Sequence, residues 1–538
     1  MRLLFIVAVA SDEFFTFPLG VGYLVSVLKR DGYDVSVLML SQHVNKSADE
    51  AIEESLRKVD PDIVLLNAYS SAWASVELAA SLAKRHDPRI KVIAGGPMFI
   101  SQPKLVMENI PQIDVIALGE GEPIISSLVR GAHSVDMLGV IPGIIFRNEG
   151  ELVDTGRPLM VEDLDALPFP DFDALGYKLY LKQSLKRAKA EPIYSFANRR
   201  YPIKMQRMGS VLGARGCPFN CTFCDHVVGR KYRKRSIDSI IAEIEFQIDK
   251  FKIDSVSLAD DLFSVNKEWL LEFCKRIKPY NIKWQCQLRV DSIDEEIVDA
   301  MIESNSICIS FGIESADNSI LKSLRKKISI DKVEYALNLC RKKKISAFGN
   351  IIIGDKEETF ETASASTRWL IEHPEFNINY SFIMHIPNSA LYKHAIEVGK
   401  IQNVIDHNKK FYPLINVTKM SDEDFYFFRE MQSYLQYHGL YLPTGELDKA
   451  EISQNAKCDV SVSCPHCGGF RFFTLDSMDV SKMVVIQLTC TDCFGGFKVC
   501  VHDILERLPL DRQATVRKRA EYERHLARYK KLVSRLYA

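Results

Sequence analysis

The stretch that decides the fold runs from residue 213 to residue 226 and reads GARGCPFNCTFCDH. Its cysteines, Cys217, Cys221 and Cys224, follow the spacing Cys-x3-Cys-x2-Cys. A closed tetrahedral site needs four protein ligands, so three thiolates leave one position open. Cysteine thiolates are the usual ligands of iron–sulfur clusters, and three of them on a four-iron cluster leave one iron able to bind a small molecule. Zinc with His226 as its fourth ligand is the alternative.

The residues downstream of this stretch alternate between short apolar runs and amphipathic helices. The pattern predicts strands near residues 211–215, 255–260, 283–290, 307–313, 345–353 and 377–386. The helix after the third strand is predicted to begin with a capping box from Ser292 to Glu295. Six strands with crossover helices predict a partial TIM-type (β/α)6 barrel, whose reactive groups belong at the carboxyl ends of the strands. Cys217 directly follows the first predicted strand.

The N-terminal part of the chain has the same alternation without any cysteine. Apolar runs occupy residues 2–10, 34–40, 62–69, 91–96 and 114–119, with amphipathic stretches between them. Buried strands separated by helices predict an α/β, doubly wound, Rossmann-like parallel sheet. The opening MRLLFIVAVAS also fits a signal peptide, but the smooth continuation of the pattern favours a buried first strand.

Sheets of this kind bind ligands at the carboxyl ends of their strands. The predicted ends carry small residues and one carboxylate: Ser70, Ser71, Gly95, Gly96, Gly119 and Glu120. Glycine lets a large ligand approach the backbone closely. We therefore expect these residues to line a ligand site.

A second cysteine group lies near the C-terminus. Cys464, Cys467, Cys490 and Cys493 follow the spacing Cys-x2-Cys-x22-Cys-x2-Cys. Four thiolates on two knuckles satisfy tetrahedral zinc completely, so the pattern predicts a small zinc-ribbon-like module at residues 458–500. An auxiliary iron–sulfur cluster and rubredoxin-type iron are the alternatives.

Composition restricts the class of protein further. The chain of 538 residues has 13 cysteines and a net charge of −1, which argues against a nucleic-acid partner. An odd cysteine number in two tight groups plus singles indicates metal binding in a reducing, cytoplasmic environment. No apolar run of membrane-spanning length occurs, so we expect no membrane span. We predict four parts: residues 1–140 (Rossmann-like), 141–205 (connector), 206–410 (barrel) and 411–538 (four-cysteine module and helical tail).

The motif CPFNCTFC resembles the signature of the radical S-adenosylmethionine (SAM) superfamily. The resemblance implies that Cys217, Cys221 and Cys224 hold a [4Fe-4S] cluster whose open iron chelates SAM. Reductive cleavage of SAM would then give a 5′-deoxyadenosyl radical that abstracts a hydrogen atom from an unactivated carbon. It also implies an electron donor such as flavodoxin or ferredoxin.

The same resemblance assigns SAM contacts to residues at the first three strand ends. Phe223 corresponds to the aromatic residue whose backbone faces the adenine. Asp260 and Asp261 stand where the family usually has Gly-Gly-Glu at the SAM amino group. Arg289 ends the third predicted strand and is expected to pair with the SAM carboxylate.

Two later elements complete the resemblance. Ser310 and Glu314 fit the strand that contacts the ribose. Ile352, Gly354 and Glu357 resemble the Ile-x-Gly-x-x-Glu element near the adenine, although Lys356 stands where the family usually has proline. The details of that loop are therefore expected to differ.

The N-terminal half is similar to the cobalamin (B12)-binding subclass of this superfamily. FPLGVGYLVSVLKRDGYDVSVL, IAGGP and LGEGE match its strand, turn and loop elements, so the resemblance covers about residues 1–400. The Asp-x-His-x-x-Gly element that places a histidine on cobalt is missing, which implies cobalamin binding without such a ligand. The resemblance implies methylation of a small-molecule substrate. The alternatives are a cyclase or rearrangement enzyme of tetrapyrrole or natural-product biosynthesis and, remotely, a non-catalytic zinc-ribbon binding protein.

Overall fold

The computed structural model describes residues 1–8, 17–43, 46–69, 72–190, 207–452, 457–476, 480, 482–508 and 512–537. The chain forms two compact units. The first comprises Met1–Gln183, Ser210–Lys252 and Met384–Ile415, and the second comprises Ser184–Gly209, Ile253–Ile383 and Asn416–Ala538. The division into four parts made from the sequence remains a prediction.

The first unit contains a seven-stranded sheet of the order β2-β1-β3-β4-β5-β6-β7. Its strands are β1 (Arg2–Ala8), β2 (Asp34–Met39), β3 (Ile63–Ala68), β4 (Lys91–Gly95), β5 (Val115–Ala117), β6 (Ile144–Asn148) and β7 (Glu151–Asp154). Strands β1 to β5 are parallel, as the Rossmann-like prediction requires, and β1 confirms the buried first strand. Strands β6 and β7 add an antiparallel hairpin at one edge, inside the stretch predicted as a connector.

Helices of the first unit follow the sheet strands and the three-cysteine stretch. They are Leu19–Arg30, Ala48–Val59, Trp73–His86, Pro97–Ser101, Pro103–Asn109, Ile125–Gly131, Val135–Gly139, Ile237–Phe251, Ala390–Glu397 and Val404–Lys409. The helix Tyr177–Ala190 begins in this unit and ends beyond Gln183. Apolar side chains of β1, β3 and β4 pack with the helix Trp73–His86 in one core. Residues 3–8 of β1, 63–66 of β3 and 92–94 of β4 are apolar and buried, as is typical of a parallel sheet with helices on both faces.

The second unit contains strands β11 to β15 of a six-stranded sheet of the order β15-β14-β13-β12-β11-β8. The strands are β8 (Met208–Val211), β11 (Ser255–Leu258), β12 (Lys283–Leu288), β13 (Ser306–Glu314), β14 (Ser346–Ile353) and β15 (Asn377–Phe382). The pairs from β11 to β15 are parallel and sequential, which is the order of a partial (β/α)6 barrel. The prediction for the first strand was displaced: β8 ends at Val211, and Ala214–Arg215 forms a separate strand, β9.

The remaining elements of the second unit are helices and a small antiparallel module. The helices are Lys267–Ile277, Glu295–Glu303, Asn318–Ser323, Ile330–Lys343, Phe360–Glu372, Asp422–Gln432, Val501–Arg507 and Arg512–Tyr537. The module consists of β16 (Glu446–Ile452), β17 (Lys457–Ser463), β18 (Phe470–Asp476), β19 (Val485–Thr489) and β20 (Gly496–Cys500). None of the helices in the described part of the chain has the length and apolar character that crossing a bilayer requires.

Candidate active site and metal centres

The three-cysteine loop, residues 216–232, connects β9 to β10 (Arg233–Lys234), and these two short strands pair antiparallel. Gly216 has a φ of +80°, and a Cβ there would collide with the carbonyl oxygen of Lys231, so only glycine fits the loop entrance. The Cys217 N–H donates to the Gly229 carbonyl at 3.4 Å. The thiols of Cys217, Cys221 and Cys224 are all half-buried. The loop thus keeps its sulfurs accessible to a ligand.

Buried ion pairs hold both ends of the three-cysteine loop against the Rossmann-like sheet region of the same unit. Arg215 donates to Glu120 at 3.1 Å and to Glu122 at 2.7 Å. Arg233 donates to both Glu120 oxygens, at 2.7 and 2.9 Å. All four side chains are 10% exposed or less. Burial acts to raise the pKa of Glu120, but the hydrogen bond from Arg233 and the charge of Arg215 outweigh it and lower that pKa.

A segment that follows the barrel strands in sequence braces the same loop. The Leu391 N–H donates to the Thr222 carbonyl at 3.0 Å. The Asn388 side-chain amide donates to the Asp225 carbonyl at 2.8 Å. Two backbone carbonyls beside the cysteines are therefore fixed by one neighbouring segment, and Phe223 lies between them.

The residues predicted to contact cobalamin fall into three groups. Gly95 ends β4, and Gly96, with a φ of +99°, lies where a Cβ would meet Asn67. A Cβ on Gly119 would meet Pro158. The carboxylate of Glu120 is committed to protein donors, so a direct role for it in cobalamin binding stays a prediction. Ser70 and Ser71 lie outside the described residues.

In the second unit, several predicted SAM residues lie at strand ends. Asp260 is buried and Asp261 exposed just after β11. Arg289 donates to Asp291 at 2.9 and 3.0 Å and to the Lys326 carbonyl at 3.0 Å. Lys326 donates in turn to Glu314 at 2.7 Å. The structure therefore brings Arg289 and Glu314 together through Lys326, which the sequence did not single out.

The loop after β14 differs from its prediction in one detail. Gly354 has a φ of +128°, and its N–H donates to Glu358 at 2.6 Å. Glu358 is fully buried, whereas the predicted Glu357 is exposed and pairs with Lys419 at 2.5 Å. Burial raises the pKa of Glu358 to about 8. The only feature of the sequence that could have indicated Glu358 is its position next to Glu357 in the motif. Ser310 and Ile352 are half-buried on β13 and β14.

The four-cysteine site consists of Cys464, Cys467, Cys490 and Cys493, whose sulfurs all lie within 4.8 Å of one another. Two sulfur pairs, Cys464–Cys493 and Cys467–Cys490, are 3.7 Å apart. A tetrahedral metal with bonds of about 2.3 Å places its sulfurs about 3.8 Å apart. A four-iron cluster separates its thiolates further because each binds a different iron. The site therefore fits one metal ion.

Two knuckles present these sulfurs. The first follows β17 and closes with the Cys464 N–H donating to Gly469 at 3.0 Å. The second follows β19 and closes with Cys490 donating to Gly495 at 3.1 Å. Gly468 has a φ of +72°, but Phe494 holds the matching left-handed position in the second knuckle. The geometry therefore needs glycine less strictly than the repeated Gly-Gly pattern indicates.

A cationic side chain lies against the four-cysteine site. Arg471 donates to the Cys490 sulfur at 3.3 Å and forms an ion pair with Asp492. A hydrogen bond from the Cys493 thiol, together with backbone N–H groups and Arg471, lowers the pKa of Cys490. Such donors stabilise thiolate, which is the form that binds metal.

These features define a protein with a Rossmann-like parallel sheet, a partial barrel and a loop of three cysteines, one thiolate fewer than a closed tetrahedral metal site needs. Comparison with known proteins agrees. Residues 211–370 match the radical SAM superfamily, and residues 6–129 match the B12 binding domain. The chain is therefore a radical SAM enzyme with a B12-binding domain, and this class implies [4Fe-4S], SAM and cobalamin as cofactors.

The relatives whose names state an activity are distant in sequence. The chain is 29% identical over 388 residues to an uncharacterized methyltransferase, PH0819, of Pyrococcus horikoshii, covering 70% of this chain and 78% of that protein. It is 27% identical to the anaerobic magnesium-protoporphyrin IX monomethyl ester cyclase of Cereibacter sphaeroides, covering 73% of this chain and 62% of the cyclase.

A solved structure supports the fold. The radical SAM methyltransferase TsrM of Kitasatospora setae, solved with tryptophan substrate and a SAM analogue, superimposes with a TM-score of 0.58 at 16% identity. The match covers 74% of this chain and 77% of TsrM.

Proposed function

We propose that this chain is a cobalamin-dependent radical SAM methyltransferase that methylates an unactivated carbon of a small molecule. The single observation that carries the proposal is the pair of buried arginines at the ends of the three-cysteine loop. Both bind Glu120, so the same compact unit contains the loop for the iron–sulfur cluster and the B12-binding domain. The proposed cobalamin-dependent radical methylation needs both cofactors in one enzyme.

The residues of this chain have separate tasks in the proposal. When bound, the cluster and cobalamin supply an electron and a methyl carrier. Cys217, Cys221 and Cys224 hold the cluster through thiolates and leave one iron open for SAM. The buried ion pairs hold the loop still, since a charge cluster with four partners and little solvent resists displacement. Glu120 is thus a positioning residue.

Residues at the strand ends are proposed to bind SAM. Asp260 and Asp261 offer carboxylates to the SAM ammonium, and a charge-assisted hydrogen bond of this kind is strong. Arg289 is proposed for the SAM carboxylate, with Lys326 beside it as an additional cation. Phe223, Ser310, Glu314, Ile352, Gly354 and Glu357 complete the proposed set.

The four-cysteine site is proposed to bind structural Zn²⁺. Four thiolates close the coordination shell, so no position is left for a substrate. A zinc-loaded module gains folding free energy that its small core does not supply alone. The physiological electron donor is proposed to be a flavodoxin or ferredoxin, and the compartment the reducing cytoplasm.

An anaerobic turnover assay tests the proposed function. The purified chain is reconstituted with iron and sulfide, then supplied with reductant, SAM, hydroxocobalamin and a metabolite extract from cells that lack the gene. We expect S-adenosylhomocysteine and 5′-deoxyadenosine to form together, along with one newly methylated metabolite. Cys221→Ala is the matched control and should form neither product. Formation of neither product by the intact chain would contradict the proposal.

Cyclisation of a tetrapyrrole is a second candidate, favoured by the similarity to the magnesium-protoporphyrin cyclase. The same assay separates the two, because cyclisation or rearrangement consumes SAM without methyl transfer. Formation of 5′-deoxyadenosine without S-adenosylhomocysteine would favour the cyclase.

A further inference from the structure

A segment of the first unit, residues 384–412, contacts both cofactor regions of that unit. On one side it binds the three-cysteine loop through Leu391 and Asn388, as described above. On the other side it binds Gln102, which lies between the two short helices that follow β4. Gln102 donates to the Tyr392 hydroxyl at 2.6 Å and accepts from the Asn408 amide at 2.6 Å. Strand β4 ends at Gly95, at the ligand-binding edge of the sheet.

The segment contains a buried histidine whose ring makes no hydrogen bond. His385 is 1% exposed, and neither of its ring nitrogens has a hydrogen-bond partner among the described residues. Its backbone is fixed, because the His407 ring nitrogen Nε2 contacts the His385 carbonyl oxygen at 3.0 Å. Proteins rarely leave buried polar atoms unpaired, since each one loses its hydrogen bonds to water without replacement. A bound molecule is the natural source of the missing partner.

The charge state of His385 restricts that partner. Burial, followed by the nearby His407 and His394, lowers the pKa of His385 to about 4. The ring is therefore neutral at physiological pH, with one nitrogen donating and the other accepting. A neutral amide is complementary to such a ring, because it also offers both a donor and an acceptor. A hydrogen bond from a neutral imidazole to an anion is weaker than one from a protonated imidazole.

We propose that His385 is a cobalamin-binding residue that hydrogen-bonds a neutral amide on the rim of the corrin ring. Cobalamin carries primary amides around this rim. Of the cofactors that the class of protein implies, it is the one richest in neutral donor and acceptor groups. Tyr392 and Asn408 of the same segment contact Gln102, between the two helices that follow β4, and on this ground the proposal assigns His385 to the B12-binding region. The inference rests on the proposed binding of cobalamin.

Binding of hydroxocobalamin to the cobalamin-free, cluster-reconstituted chain tests the inference. Equilibrium dialysis compares the intact chain with His385→Ala, His385→Phe and His385→Asn. Alanine and phenylalanine both remove the hydrogen bonds, but phenylalanine refills the space. Asparagine keeps a donor and an acceptor. We expect the first two variants to weaken binding about tenfold, and His385→Asn to recover most of the affinity.

A matched control uses His394→Ala, a half-buried histidine of the same segment, which should bind hydroxocobalamin normally. The cobalamin-induced rise in melting temperature, measured against each variant's own cobalamin-free form, excludes a merely structural effect. We expect this rise to shrink in His385→Ala and His385→Phe and to persist in His394→Ala. Iron content should be equal in all of them.

Three outcomes would overturn the inference. The first is unchanged hydroxocobalamin affinity in both His385→Ala and His385→Phe. The second is a nitrogen splitting in the cob(II)alamin spectrum of the intact chain that disappears in His385→Ala, because the histidine would then bind cobalt rather than the rim. The third is failure of the intact chain to bind hydroxocobalamin, which alone would also remove cobalamin from the proposed function.

Discussion

The three-cysteine loop and the four-cysteine site use the same side chain on differently built backbones. In the four-cysteine site, two knuckles bring four sulfurs within 4.8 Å of one another, so a metal ion can hold the module together. In the three-cysteine loop, the thiols are half-buried on irregular backbone, and the loop ends are held by arginine–glutamate ion pairs.

The difference teaches how a protein can keep a metal site reactive. A structural metal that contributes folding free energy usually has a complete set of protein ligands. A metal that binds SAM must have an open position, so the fold around it needs other sources of rigidity. Glu120, Arg215 and Arg233 provide one such source, and the hydrogen bonds from Asn388 and Leu391 provide another.

The largest effect is expected from a substitution in the three-cysteine loop. Cys221→Ala should reduce 5′-deoxyadenosine formation to background and lower the iron content, while the chain stays folded, because the loop is braced by protein contacts. Cys340→Ala, at a buried cysteine of the helix Ile330–Lys343, is the control and should keep both iron and activity. Iron analysis, circular dichroism and product quantification measure these effects. Unfolding of Cys221→Ala would show that the metal also holds this loop together.

The four-cysteine site should respond to loss of a cysteine in the opposite way, by losing stability. Cys490→Ala should lose the bound metal and destabilise the module by about 3 kcal/mol or more, because the metal supplies folding free energy. Cys458→Ala removes a buried cysteine of the same module outside the four-cysteine site and should keep one zinc per chain. Elemental analysis and limited proteolysis of residues 446–508 measure the effect. Several irons per chain lost with Cys490 would contradict a single-metal site.

Removing the charge of Glu120 tests whether the buried ion pairs stabilise the three-cysteine loop. Glu120→Gln leaves the buried Arg215 and Arg233 short of negative charge and should cost about 3–5 kcal/mol. Asp87→Asn removes an exposed ion pair with Arg89 in the same unit and should leave the melting temperature unchanged. Melting of the cluster-reconstituted chain compares the two variants. Equal melting temperatures would show that the ion pairs do not brace the loop.

Much of this comparison could be predicted from the sequence, because cysteine spacing and apolar periodicity are local signals. The first five strands begin within one residue of their predicted positions. Local signals gave a wrong prediction where two neighbouring residues could each cap the same helix. The helix Glu295–Glu303 is capped by Asp294 rather than by Ser292, whose hydroxyl donates to Arg289 instead. The partners of Glu120 and the burial of His385 depend on residues far apart in the sequence, so no local pattern could indicate them.

Glu120 and Glu358 extend the comparison to buried carboxylates. Arginines compensate Glu120, whereas burial raises the pKa of Glu358 from 4.5 to about 8 and the Gly354 N–H only partly offsets it. At pH values between about 4.5 and about 8, the Glu358 carboxyl group is ionised in the unfolded chain and protonated in the folded chain. Stability should therefore fall as the pH rises from about 4.5 to about 8, and the loss should be complete above that.

Glu358→Gln removes this titration, so its melting temperature relative to the intact chain should rise with pH across that window. The expected gain above pH 8 is on the order of 2–5 kcal/mol, because each pKa unit corresponds to about 1.4 kcal/mol. Glu357→Gln is the matched control, since that neighbour is exposed and pairs with Lys419. Its melting temperature should follow the pH dependence of the intact chain. Parallel pH profiles for Glu358→Gln and the intact chain would show that Glu358 is ionised in the fold, with a partner that compensates it as the arginines compensate Glu120.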